Sequence, residues 1–268
     1  MGLRINTNVP ALGANRQTRQ ATNLLNRTLG QLASAQRINR AADDAAGLAI
    51  AERFNSQIRR GQTEINNLQS GVNYAQTAEG GLETQQDAVQ RIRELAVQAS
   101  NGTLSDDQRT ALNAEAQELI AQVDDAAQDT EYNGQQLLAD DTTVDLGTEG
   151  ELQVTTNQST AASLEIDDID LSTAEGAAAA VEAADAALND ISQNRSNLGA
   201  QINRFERAID QRGLEVENAQ AAESRIRDLD FAMAVIEQTR GQLLQQTGLA
   251  AMTQSNVTPQ SALSLLGA

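Results

Sequence analysis

Apolar residues in this chain recur at three- and four-residue steps over most of its length, the pattern of helices that pack on other helices. Leu25, Leu29 and Leu32, then Ile50, Phe54 and Ile58, each fall on one helical face. From Ile65 the stripe continues through Leu68, Val72, Ala75, Leu82, Val89, Ile92 and Ala96, a coiled-coil comb. This predicts one helix from about Asp44 to Ser100, about 85 Å long at 1.5 Å per residue. Proline occurs only at Pro10 and Pro259, so helix can run between them with few interruptions.

Asn101-Gly102 reads as a helix stop, and Ser105-Asp106-Asp107 as a fresh N-cap. A second helix to about Ala127 would place Leu112, Leu119, Ile120 and Val123 inward, and Tyr132-Asn133-Gly134 marks a turn. Residues 140–171 are richer in Thr, Val, Asp and Gly. There Glu151–Thr156 and Ser163–Ile169 alternate as two short strands around Asn157–Ser159. Ser172-x-x-Glu175 has the spelling of a capping box for the next helix.

That last helical tract has the cleanest period. Positions 191, 195, 198, 202, 205, 209, 212, 216, 219, 223 and 226 step by four and three without error. Arg195 and Arg212 sit within this comb, where each either reaches an acidic partner across the helix pair or snorkels to the surface. The register slips between Glu223 and Leu229. Beyond it, Leu229, Met233, Ile236, Leu243, Thr247 and Ala250 set a new phase, which predicts a joint near residue 228.

Charge places a joint at the same point. Residues 1–42 carry six arginines and no acidic residue, and beyond Glu237 the only charge is Arg240. Between them, residues 43–227 hold 12 arginines against 34 acidic residues, a net of −22. Leu-spotted ends, one free of acidic residues and the other almost free of charge, and an acidic middle are laid out for assembly, with the ends inside and the middle facing water.

Composition also removes most chemistry. The chain has no His, Cys, Trp or Lys, and all 19 basic residues are Arg. That excludes an imidazole base, thiolate or His–metal chemistry, a Schiff base and a phosphate-binding lysine. Carboxylate pairs remain, but 37 acidic residues spread over helices read as a solvated face, not as a catalytic, metal or cofactor site. A formal charge of −18 repels nucleic acid. No apolar run is long enough to span a membrane, and the N-terminus lacks the apolar run of a cleavable signal. The Lys-free acidic composition suggests a high-salt habitat, with GC-rich coding the competing explanation for the missing Lys.

Several short blocks, in order, resemble the bacterial flagellins. Near the N-terminal joint stand Arg37-Ile38-Asn39 and Asp43-Asp44-Ala45-Ala46-Gly47-Leu48-Ala49-Ile50. Ala75–Gly80, Gln90–Gln98, Tyr132-Asn133-Gly134, Asn197–Ala200 and Ser224-Arg225-Ile226 follow. Leu243-Leu244-Gln245-Gln246, Pro259-Gln260 and Leu263–Leu266 close the series. The resemblance covers about residues 1–138 and 180–268.

It implies a mainly α fold, a long antiparallel helical coiled-coil hairpin or bundle with a small β-hairpin element. Residues 1–42 plus 228–268 would form the inner terminal coiled-coil domain lining the filament channel. Residues 43–227, with the β-element at about 140–171, would form the outer helical bundle, without the further outer domains that some flagellins insert. The implied function is a self-assembling subunit of the flagellar filament, exported unfolded through the flagellar type III apparatus and so secreted without a signal peptide. Implied partners are further copies of the chain, an export chaperone, the filament cap and hook-junction proteins, and, where a host is met, the innate immune receptor for flagellin.

Gln90, Arg91, Leu95 and Glu115 correspond to the receptor-contacted positions of the family, a face expected to exist first for contacts between subunits. Leu25, Leu29, Leu32, Met233, Ile236, Leu243 and Leu244 are the candidate assembly residues of the terminal helices. Two other readings stand beside a filament subunit: a hook–filament junction protein and a helical adaptor or binding module.

Overall fold

A computed structural model describes residues 7–148 and 152–266. The chain runs α1 (Val9–Ser34), α2 (Ala45–Ala99), α3 (Asp106–Asp129), β1 (Glu131–Tyr132), β2 (Gln135–Gln136), β3 (Thr142–Asp145), β4 (Gln153–Thr156), α4 (Ala174–Arg227) and α5 (Phe231–Leu266). It divides into two compact units, one holding residues up to Ile58 and from Glu217 onward, the other Arg59–Val216.

In the Arg59–Val216 unit the two sequence combs meet. Leu68, Ala75, Leu82, Val89, Ile92 and Ala96 of α2 are buried against Ile191, Leu198 and Phe205 of α4, with Ala116, Ile120, Val123 and Ala127 of α3. The α4 comb also reaches further back than its large residues indicate, through buried Ala177, Ala180, Ala184 and Ala187 at the same spacing. Small side chains let helix backbones approach, which is how a chain with 2% aromatics fills a core. Arg195 and Arg212 do not merely snorkel. Arg195 donates to Gln86 at 2.7 Å and lies 3.5 Å from Glu79, while Arg212 reaches Glu64 at 2.9 Å and Glu215 at 2.7 Å.

Local signals account for the helix ends. Ser105 caps α3, and Gln108 returns the bond to complete a capping box. Arg109, buried, donates to the carbonyls of Ala99 and Asn101, so a guanidinium closes the end of α2. At α4 the expected box does not form, and a single cap stands one residue further on. Thr173 Oγ1 accepts from the Gly176 N–H, while the Ser172 hydroxyl turns back to Asp170.

The β-element differs from the expected one. β4 pairs antiparallel with β3, Thr142 opposite Thr156 and Asp145 opposite Gln153. Ser163–Ile169 forms turns instead of a strand. Glu165 sits at φ 56°, and the Ile166 N–H bonds the Ala161 carbonyl, so the backbone cannot stay extended although Leu164 and Ile166 still point inward. Glu151, the first residue of the expected strand, lies outside the described residues. A second, two-residue hairpin closes at Asn133-Gly134, both at positive φ, as a tight primed turn requires.

In the terminal unit, α1 packs antiparallel on α5. The chain passes from α1 to α2 and from α4 to α5 side by side. Gln36 bridges Asp228, Arg37 N–H donates to the Arg227 carbonyl, and Leu229 N–H donates to that of Ala35. The acidic pair of the Asp43–Ile50 block has distinct tasks there. Asp43 accepts from the N–H groups of Asn39 and Arg40 and folds the loop, while Asp44 accepts from Gly47 N–H at 2.8 Å and caps α2.

Candidate assembly surfaces

The terminal pair brings small residues to its seam. Ala234, Gln238, Gly241, Gln245, Gly248, Met252 and Ser255 of α5 are covered at four-three spacing, with Leu244 half-buried beside Gln245. A Cβ on Gly241 would touch Leu25 at 3.5 Å, and one on Gly248 would run into the Thr18 hydroxyl. Polar bonds tie the same seam: Asn8 donates to the Ser255 carbonyl at 2.9 Å and Gln245 to the Thr22 hydroxyl at 3.4 Å.

The phase read from large apolar residues therefore faces away from α1. Met233, Ile236 and Leu243 are 57%, 61% and 57% exposed, and Leu29 is exposed as well, whereas Leu25, Leu32 and Leu244 are half-buried in the seam. Thr247 and Ala250 also face outward. Hydrophobicity misled because side-chain size, not apolarity, decides which face of a close pair lies inside. The available signal was the repeat Ala234, Gly241, Gly248 at seven-residue intervals. Val9 and Leu12 of α1, and Phe231, Val235, Leu249 and Val257 of α5, add to the exposed apolar surface.

On the other unit, Arg91 and Glu115 come together on the surface of α2 and α3. The guanidinium donates to Glu115 at 3.1 and 2.9 Å and to Glu94 at 3.0 Å. These bonds, that to Glu115 first, hold Arg91 above its ordinary pKa. Gln90 is exposed beside it. Leu95 is 1% exposed and belongs to the core, so it supports this surface from beneath. Among the described residues no group of three or more acidic side chains is placed to hold a metal, and no helix is long and apolar enough to cross a membrane.

Comparison with known proteins matches the bacterial flagellin N-terminal helical region at residues 5–143 and the C-terminal helical region at residues 181–266. The chain belongs to the bacterial flagellin family. It is 41% identical to a flagellin of Halalkalibacterium halodurans over 98% of this chain and 99% of that protein. Flagellin FlaB1 of Treponema pallidum is 36% identical over the same shares. A putative flagellar hook-associated protein from Vibrio parahaemolyticus has the same fold over 70% of this chain and 98% of its own, with a TM-score of 0.55 at 14% identity. This flagellin is thus a structural subunit of the bacterial flagellar filament, in a short form. Its relatives are covered nearly end to end.

Proposed function

We propose that the chain polymerises by burying the outward faces of α1 and α5 against neighbouring copies. Residues 1–42 plus 228–268 form the inner layer around the channel, and residues 43–227 the outer wall. The observation that carries this is α5 itself, a 36-residue helix bearing large apolar residues on the face that α1 leaves bare. Large apolar side chains left bare on one helix face are favoured in water only when that face is covered too. Meanwhile the bulk of the acidic residues stays on the unit that would meet solvent.

The same reading gives the remaining roles. The subunit leaves the cell unfolded through the flagellar type III apparatus and is secreted to the filament tip. On the way its C-terminal segment meets an export chaperone, and at either end of the filament it meets the cap and hook-junction proteins. Arg91, Glu115 and Gln90 serve contacts between stacked copies, and a host receptor for flagellin would read the same face. The test is seeded growth of the full chain, viewed by negative-stain electron microscopy, against the double variant Ile236→Asp/Leu243→Asp. Long tubes are expected from the unaltered chain and none from the variant. Tubes of equal length and number from both would refute the assignment of that face.

A further inference from the structure

Between β4 and α4, within the Arg59–Val216 unit, lies a cavity of about 320 Å³ whose polar groups are unevenly satisfied. Its floor is apolar, from Leu82, Leu138 and Leu198. Some of its polar wall is already spent. Gln201 accepts from Thr155 N–H at 2.9 Å and donates to the Thr155 carbonyl at 3.0 Å, closing the open edge of β4. Asn157 donates to Asn194 at 2.8 Å.

Three groups that line the cavity have no partner among the described residues. The Thr156 side chain is buried, 2% exposed, and its Oγ1 makes no hydrogen bond. Asn197 and Arg204, both exposed to solvent, also line the cavity, and their side chains bond no described residue. A buried hydroxyl without a partner costs about 1–3 kcal/mol, so something that accepts from it is favoured there. The guanidinium supplies donors only and one positive charge, and the hydroxyl and the amide can each donate beside it. The complement is a small, planar, singly charged acceptor, because an Arg fork bonds a carboxylate with both oxygens. The −18 chain as a whole repels more highly charged anions.

We infer that this cavity is a carboxylate-binding site. Two sources carry that chemistry: a free small carboxylate, or an Asp or Glu side chain of a neighbouring copy, in a chain with 37 acidic residues. The second rests on the filament reading. It makes Arg204 and Thr156 a socket on the outer unit for a carboxylate of the adjoining subunit.

Two arms separate the sources. In the first, sodium acetate is titrated into the full-length monomer while backbone amide resonances are followed. Shifts confined to Thr155–Asn157 and Asn197–Arg204, and lost in Arg204→Gln, establish the site for a free carboxylate. In the second, the critical concentration for seeded growth is measured. Arg204→Gln should raise it about tenfold and Thr156→Val by less, as the loss of a charge-assisted bond predicts. Arg207→Gln, an identical charge change one turn along α4, should leave it unchanged, and filaments should shield Arg204 from phenylglyoxal. That pattern without acetate shifts assigns the site to a neighbouring copy. Acetate without effect, together with Arg204→Gln growing like the unaltered chain or no worse than Arg207→Gln, overturns the inference. Should the unaltered chain not polymerise at all, the filament reading fails and the acetate arm alone decides the cavity.

Discussion

Gln85 is a polar side chain at the centre of an otherwise apolar comb, fully buried on α2. Its Nε2 donates to the carbonyls of Val123, at 3.1 Å, and Ser159, at 2.7 Å, while its Oε1 accepts from the Ser159 hydroxyl at 2.7 Å. One side chain therefore ties α2 to α3 and to the loop after β4. Gln85→Leu keeps the volume and removes every bond. The Val123 carbonyl keeps its place in the α3 ladder, but the Ser159 carbonyl and hydroxyl are left buried without partners. At about 1–3 kcal/mol for each orphaned group, less a small gain from burying the leucine, the net loss is about 2–4 kcal/mol. Adding Ser159→Ala to the Gln85→Leu variant removes the orphaned hydroxyl and should restore about 1–2 kcal/mol.

The assay is urea unfolding followed by tyrosine signals. The chain has no Trp, and its two tyrosines, Tyr74 and Tyr132, stack edge to face 5.7 Å apart inside the Arg59–Val216 unit, so they report that unit alone. With a slope of about 2–3 kcal/mol per molar urea, a loss of this size moves the midpoint down by about 1–2 M. An unchanged midpoint would show that the network adds nothing to stability. A double variant no better than Gln85→Leu would show that orphaned polar groups are not the cause.

Arg212→Leu should cost about 2–4 kcal/mol by removing the guanidinium that stands 2.9 Å from buried Glu64, whereas Glu64→Leu/Arg212→Leu should lie close to the unaltered chain in the same unfolding assay. The Ser172 N–H and hydroxyl hold Asp170 below the ordinary carboxylate range, so its contribution is present at neutral pH and lost as pH falls through that depressed value. Unfolding of Asp170→Asn and of the unaltered chain should accordingly differ at pH 7 and converge in strong acid; a gap that persists or widens below about pH 3 refutes the assignment. Seeded growth should be slow at very low ionic strength and faster in molar salt, where the Debye length is about 3 Å, because the 43–227 segments, each with a net charge of −22, repel each other. Turbidity traces that coincide across the salt series would contradict this.

Periodic and compositional features were legible directly in the chain. Helix extents followed from uninterrupted heptads bounded by Asn101-Gly102 and Ser105, because helix formation and capping are local. The α4 comb from Ile191 to Ile226, likewise read from spacing, is covered at every step. Blocks in fixed order gave the family. What needed the tertiary structure was whatever depends on a second element. Which face of α5 lies inside was decided by how closely α1 approaches, and there Gly241 and Gly248 outrank Met233 and Leu243. The strand partner of β4 was decided by the turn at Glu165 and by the anchor of Ser159 on Gln85, neither visible as a pattern. The unpartnered Thr156 hydroxyl and the exposed Arg204 guanidinium line one cavity only because β4 packs beside α4. Local order is written in spacing along one chain, whereas packing depends on the size and the unspent bonds of residues far apart in it.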